Sequence, residues 1–242
     1  MRKTTEERQK FINLTPDTTV DTVLVTLHNN TLKVLLTQRS NNQSDPFPNQ
    51  WGLPGVYFNV EKDINVFQAA VRGLTEKAHL DLIPHIETLD VFSEQNRDPR
   101  WHTLTVVNIG YVNYESIRLH SDKVQFFSFE DIQNMDLAFD HKEIIDFALK
   151  KVRKEAQISA KVINFLDTMF TQPELQSLFE TVLNTTLDKS SFRKQIRQSD
   201  LLVETGDRIK PQKGKPALLY KVNPEFDINN DWFFPRSVAK NK

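Results

Sequence analysis

Between Thr171 and Val222 the sequence sets out four elements in an order that few folds share. Thr171-Gln172-Pro173-Glu174 joins a capping Thr, a Pro in the first helical turn and a Glu placed to close a capping box, and Leu175, Leu178, Phe179, Val182 and Leu183 follow at helical spacing. Asn184 to Asp188 interrupts that helix. Lys189 to Gln198 resumes it, with Phe192 and Ile196 as the apolar stripe and polar or basic side chains elsewhere. Leu201 to Glu204 and Ala217 to Val222 then read as strands, joined by a linker that carries Gly206, Gly214, Arg208, Lys210, Lys213 and Lys215. Helix, turn, basic helix and basic hairpin is the order of a winged helix-turn-helix, in which the second helix enters the major groove and the wing contacts the flanking backbone.

Charge agrees with that placement. The net charge of −1 averages two unlike parts: Thr185–Lys242 carries 12 Lys and Arg against 7 Asp and Glu, a net of +5, which leaves −6 for residues 1–184. A charged run taken alone describes a solvated face; here the positive charge gathers in the two elements that a winged helix brings to DNA. The candidate DNA contacts are Ser190, Ser191, Arg193, Lys194 and Arg197 on the second helix and Lys213 and Lys215 on the wing. Base reading falls to Arg193 or Arg197, phosphate contact to the lysines. Because palindromic half-sites mirror two-fold symmetry, the expected assembly is a homodimer on a double-stranded DNA operator.

Composition narrows the remaining choices. The chain has no Cys, which excludes disulfide scaffolds, thiolate zinc sites and thiol nucleophiles, and its six His form no H-x-x-x-H pair. No apolar run reaches the ~18 residues of a membrane span, and the opening MRKTTEERQK is unlike a signal peptide. A cytoplasmic protein with no membrane partner is expected. With 38% hydrophobic and 26% charged residues, there is apolar side chain enough for packed cores.

Upstream of residue 157 the pattern changes. Thr18–Leu27 and Leu32–Arg39 are β-rich runs around the turn formers Asn29 and Asn30, and Asn65–Ala78 is an amphipathic helix through Val66, Ala69, Ala70, Leu74 and Ala78. Further strands are expected at Ile86–Phe92, Thr103–Tyr111 and Lys123–Ser128, a short helix at Phe129–Met135, and a long one at Asp140–Ala156 whose Lys150, Lys151, Arg153 and Lys154 suit a helix C-terminus. Residues 1–156 therefore read as an α/β domain with a mixed sheet, and 157–242 as the winged helix with its tail, where Trp232-Phe233-Phe234 is apolar enough to pack on something.

Trp51 to Leu80 resembles a degenerate Nudix box, whose active form runs Gly-x5-Glu-x7-Arg-Glu-apolar-x-Glu-Glu-x-Gly-apolar. Leu53-Pro54-Gly55 and Ala69, Ala70, Arg72, Leu74 and Glu76 carry the likeness. In working enzymes of that family the helix glutamates hold divalent metal ions that bridge a diphosphate and activate water. In this chain Gly73 and Lys77 replace two of those glutamates, His79 replaces the following Gly, and Val56 stands where a second Gly is usual. Glu76 remains, read as a surface carboxylate; Ile64 falls at the upstream Glu position unless a short insertion brings Glu61 there.

From Thr19 to about Val222 the chain resembles the NrtR family, Nudix-related transcriptional regulators of bacterial NAD metabolism. Three more stretches carry that likeness: Arg97-Asp98-Pro99-Arg100, Leu137-Ala138-Phe139-Asp140-His141, and Lys189–Leu202 followed by Lys213-Gly214-Lys215-Pro216-Ala217 and Tyr220. The family has Gly after Asp-Pro-Arg; here it is Trp101. The resemblance implies a Nudix-like mixed-sheet α/β/α sandwich, followed by a winged helix, that senses ADP-ribose or a related phosphorylated nucleotide and releases DNA. The ligand candidates are Arg39, at a strand end within reach of a phosphate, the cluster Arg97, Asp98 and Arg100, whose guanidiniums suit phosphates or a hinge, and Phe139 and His141. Asp140 is a candidate helix cap and Trp51 a packing residue. No catalytic residue, cofactor or metal ligand is expected; the alternative is a Nudix hydrolase of ADP-ribose or a related nucleoside diphosphate.

Overall fold

Asn29 and Asn30 both adopt positive φ, 51° and 56°, a two-residue turn geometry that Asn tolerates and whose twist matches that of the flanking strands. It joins β1 (Asp17–His28) to β2 (Thr31–Gln38) in an antiparallel hairpin from Val25↔Val34 to His28↔Thr31. The computed structural model describes residues 15–81, 84–210, 216–229 and 239–240, with only the backbone described at 239–240. β1 is the centre of a seven-stranded mixed sheet. β6 (Thr103–Asn113) runs parallel to it, β5 (Ile86–Phe92) is antiparallel to β6, β4 (Gly55–Tyr57) pairs with the first half of β1, and β3 (Trp51–Gly52) and β7 (Val124–Ser128) both pair with β2.

Alternation along β1 feeds two cores. Val20 and Leu24 face α1 (Val66–Ala78), whose Ala69, Ala70, Leu74 and Ala78 are fully buried. Val23 and Val25 face α3 (His141–Ile158), which follows the short α2 (Phe129–Gln133) and buries Ile144, Ile145, Ala148 and Val152. The result is an α/β/α sandwich. α1 starts at Asn65, whose side chain accepts from the Gln68 N–H, and stops at His79, which takes the left-handed conformation (φ 52°) that favours glycine. α3 extends beyond Ala156 to Ile158 with no base in its last turn. Lys150, Lys151, Arg153 and Lys154 thus sit inside the helix, where Lys151 reaches Glu155 at 3.0 Å, and not at the C-terminus expected for them, because the buried Glu155 and Ala156 carry the helix on.

The second module is built as its punctuation predicts. Thr171 and Glu174 close a reciprocal capping box at the start of α4 (Gln172–Leu183), which ends in left-handed Asn184. Asp188 caps α5 (Lys189–Gln198) by accepting from the Ser191 N–H at 2.9 Å. The wing is the antiparallel pair β9 (Leu202–Ile209) and β10 (Ala217–Val222), extended by paired backbone hydrogen bonds between Phe170 and Tyr220. β9 outruns the expected Leu201–Glu204, because Arg208 and Ile209 find partners in Leu218 and Ala217. β11 (Ala239–Lys240) pairs antiparallel with β8 (Thr186–Leu187), the short strand between α4 and α5. Lys213 and Lys215, expected on the wing, and Trp232, Phe233 and Phe234 lie outside the described residues.

The core on the α3 face of the sheet continues into the winged helix. Val162, Ile163 and Phe165 of a 3-10 turn join Val23 and Ile109 to Leu175, Leu178, Phe179, Phe192 and Ile196 in one cluster. The Tyr111 and Phe165 rings pack at a tilt with centroids 5.6 Å apart, and Lys161 reaches both carboxylate oxygens of Glu87 on β5, at 2.9 and 2.8 Å. No helix among the described residues is long and apolar enough to cross a membrane.

Candidate ligand cleft and nucleic-acid interface

Where β1, β4 and the start of α3 meet, backbone and side chain come too close for a Cβ. One built at Gly55 would overlap the Asp21 carboxylate, and one at Gly52 would stand 2.7 Å from His141 Nδ1. Leu53, next along, donates its N–H to His141 Nδ1 at 2.9 Å. That bond requires an unprotonated Nδ1, so the remaining proton sits on Nε2, 3.8 Å from Asp21 Oδ1. Burial pushes the His141 imidazole below its ordinary value, and Asp21 only partly opposes it. The other Asp21 oxygen accepts from the Thr105 hydroxyl at 2.7 Å.

A cleft opens over this floor, and Arg39, Arg97, Asp98, Arg100, Phe139 and His141 all line it. Their roles divide. Arg97 is buried and committed to the protein: Nε and Nη2 donate to the two oxygens of Asp140 at 2.9 and 2.8 Å, and Nη1 to Thr103 Oγ1 at 3.1 Å. Asp140 occupies the cap position of α3, but its carboxylate caps nothing; Arg97 takes it instead. Arg97 holds the first turn of α3 to the sheet.

Arg100 is exposed and its guanidinium grips Asp98 with two bonds of 3.0 and 2.7 Å. Burial alone would raise the Asp98 carboxyl, but the Arg100 hydrogen bonds and charge outweigh it and hold it below the usual range. Arg39, half-buried, donates Nε to the Pro46 carbonyl, and burial and then the Arg100 charge lower its guanidinium from its ordinary value. Two cations crowding one place favour an anion between them. Phe139, in the left-handed region at φ 57°, has Arg39 over its ring at 4.9 Å and Arg100 at 5.8 Å. Asn or Gly would adopt that conformation at lower cost, and the strained Phe139 places an aromatic face in the cleft.

Beyond Gly55 the cleft passes over α1, where Arg72, Glu76 and Lys77 line it with Tyr57. Arg72 donates Nε and Nη2 to Asp63 at 2.9 and 2.7 Å and Nη2 to the Tyr57 carbonyl at 2.8 Å. These bonds hold the Asp63 carboxyl at about 2. Neither Ile64, 89% exposed, nor Glu61 takes the upstream position, since the partner of Arg72 is Asp63. Spacing from Arg72 missed it by one residue. Trp51 packs edge-on against Phe127 at 4.8 Å.

On α5, Ser190, Arg193, Lys194 and Arg197 are exposed while Phe192 and Ile196 are buried, so four of the five helix candidates share one outward stripe at i, i+3, i+4 and i+7. Ser191 is half-buried at its edge. On the wing, Arg208 and Lys210 are exposed.

A Nudix-fold sandwich with a cation-lined cleft, joined through one core to a winged helix, is a two-module architecture, and each module has its match. Residues 18–148 match the NUDIX domain and residues 162–222 the NrtR DNA-binding winged helix domain. The chain is 31% identical, over 95% of its length and 90% of the relative's, to the ADPR responsive transcriptional repressor NtrR of Acinetobacter baylyi. The crystal structure of Shewanella oneidensis NrtR complexed with a 27mer DNA superposes with a TM-score of 0.77 at 36% identity, covering 86% of this chain and 94% of that one. The NUDIX domain of the same NrtR complexed with ADP ribose gives 0.52 at 32% identity, over 62% of this chain and 99% of that one. The first module alone is also 38% identical over 117 residues to an ADP-ribose pyrophosphatase of Methanocaldococcus jannaschii, across 47% of this chain and 63% of the relative. The chain belongs to the NrtR family of Nudix-related transcriptional regulators.

Proposed function

We propose that this chain is a DNA-binding transcriptional repressor, acting as a cytoplasmic homodimer, whose Nudix-type cleft senses ADP-ribose or a related phosphorylated nucleotide. Residues 1–156 form the sensing module and 157–242 the DNA module. Ser190, Ser191, Arg193, Lys194 and Arg197 meet the operator, with Lys213 and Lys215 on its flanks. Arg39, Arg100, Phe139 and His141 meet the effector, the rings beside its base or ribose and the guanidiniums on its phosphates. Arg97 and Asp98 hold that site in shape.

The observation that carries this reading is the position of α3. Its first residue, His141, lines the cleft, while its far end shares a core with the winged helix. An effector that binds one arrangement of this helix better than another shifts the population of both modules together, and the two recognition helices of a dimer leave their half-site spacing. No hydrolysis is part of this reading, since α1 presents Glu76 beside Lys77 where a metal-dependent diphosphatase gathers several carboxylates. The likeness to an ADP-ribose pyrophosphatase favours a hydrolase as the second reading. Incubation with ADP-ribose and Mg²⁺ or Mn²⁺ separates the two: AMP release at enzymatic rates supports the hydrolase, and an intact ligand supports the sensor. Binding to the DNA upstream of its own gene, with a panel of nucleotides added, identifies operator and effector.

A further inference from the structure

The divalent ion that the Nudix fold implies does not fit the residues of this cleft. Hard divalent cations take six or more oxygen ligands, and Mg²⁺, which keeps several of its waters, is still held by one or two carboxylates beside the substrate phosphates. The single carboxylate of α1 is Glu76, whose Oε2 lies 3.4 Å from Arg72 Nη1. The next residue, Lys77, lines the cleft on both sides of Gly55, toward Tyr57 and Arg100 on one and toward Arg39 and His141 on the other. An ammonium there repels a metal ion. Of the other acids along this stretch, Asp45 accepts from the Ser40 hydroxyl at 3.0 Å, and Glu61 lines the same part of the cleft as Glu76 and Lys77. Among the described residues no group of three or more His, Asp or Glu is placed to hold a metal.

Positive charge takes the place of the ion. Lys77 and Arg39 are in no ion pair among the described residues, and both line the recess next to Gly55. A diphosphate laid along β4 would meet Arg39 and Lys77 directly, with Arg100 at the rim. Such contacts are charge-assisted hydrogen bonds, roughly twice as strong as neutral ones. We propose that the cleft binds the diphosphate of its effector on its own cations, with Lys77 as a dedicated anion contact, and that binding requires no divalent metal. This rests on the effector reading given above.

The test is calorimetric titration of the full chain with ADP-ribose and, separately, with inorganic pyrophosphate, each in chelator and in excess Mg²⁺. The expected affinity for ADP-ribose is the same in both buffers. Lys77→Glu, at an exposed position, should weaken it in chelator by roughly 10- to 100-fold, and Lys77→Arg should keep it. Binding that appears only with Mg²⁺, or a Lys77→Glu variant that binds like the wild type in chelator, overturns the proposal. Pyrophosphate binding in chelator without any ADP-ribose binding would sustain the anion site and remove the nucleotide reading, while silence from both ligands removes both.

Discussion

Val56 on β4 packs against Gly73 on α1, with both of its methyl carbons 3.7 Å from where a Cβ at residue 73 would stand. Two departures from the Nudix pattern, a Val for a Gly and a Gly for a Glu, are therefore one contact: the carboxylate is gone and valine fills the space it would cross. An alanine at 73 meets Val56 at ordinary van der Waals distance and removes a helix-interior glycine, so Gly73→Ala should stabilise by ~0.5–1 kcal/mol. Gly73→Glu should give no Mg²⁺-dependent AMP release from ADP-ribose. Urea unfolding and an AMP assay check the pair; a destabilised alanine variant would show the contact tighter than described.

Arg97 and Arg100 should part company on mutation. Arg97→Ala strips the carboxylates of Asp140 and Asp21 of their cation in a buried place, at a cost of ~3 kcal/mol, and weakens DNA binding without any ligand. Arg100→Ala should leave DNA affinity without ligand near wild type and raise the ADP-ribose needed for release about tenfold or more. Unfolding curves with operator binding, with and without ligand, distinguish them. An Arg97→Ala variant of wild-type stability that shifts only the ligand response would return Arg97 to the phosphate.

The buried His141 makes stability depend on pH in a definite direction. Its folded value lies below the ordinary 6.5, so the unfolded chain binds the proton more readily. Its contribution is complete above about pH 6.5 and falls as pH drops through the folded value, by up to ~1.4 kcal/mol per unit. Asp63, at about 2, loses its contribution only in acid well below that window. Unfolding measured at about pH 7.5 and about pH 5.5 should show a loss in the wild type that His141→Gln, which keeps an acceptor for the Leu53 N–H, reduces. Equal losses would place the titration elsewhere.

At the DNA face, Arg193→Ala and Arg197→Ala should each cost ~1–3 kcal/mol against the specific operator and little against random sequence. Arg208→Ala and Lys210→Ala on the wing should weaken both alike and flatten the salt dependence by about one unit per lost phosphate contact. Affinity unchanged in the two helix variants and in their double mutant would remove α5 from the groove.

Most of the fold could be read from the chain because its punctuation is local. Asn29-Asn30, Asn65, Thr171 with Glu174, and the Phe192/Ile196 stripe each fix a turn, a cap or a face within a few residues. What escaped depends on partners distant in sequence. The Asp140 carboxylate reads as a helix cap until Arg97, 43 residues away, claims it. Asp63 is invisible to box spacing because it lies one residue before the position counted back from Arg72. The parallel pairing of β1 with β6 and the two-residue β8–β11 ladder carry no local signature.

On the function proposed above, a ligand in the cleft empties the winged helix of DNA. Operator-bound protein titrated with ADP-ribose, followed by fluorescence anisotropy of the DNA and by chromatography of the nucleotide, tests it directly. Dose-dependent release of the DNA, with the ADP-ribose recovered intact, is the expected result. A complex that stays bound while calorimetry shows the cleft filled, or release that tracks the appearance of AMP, would contradict it.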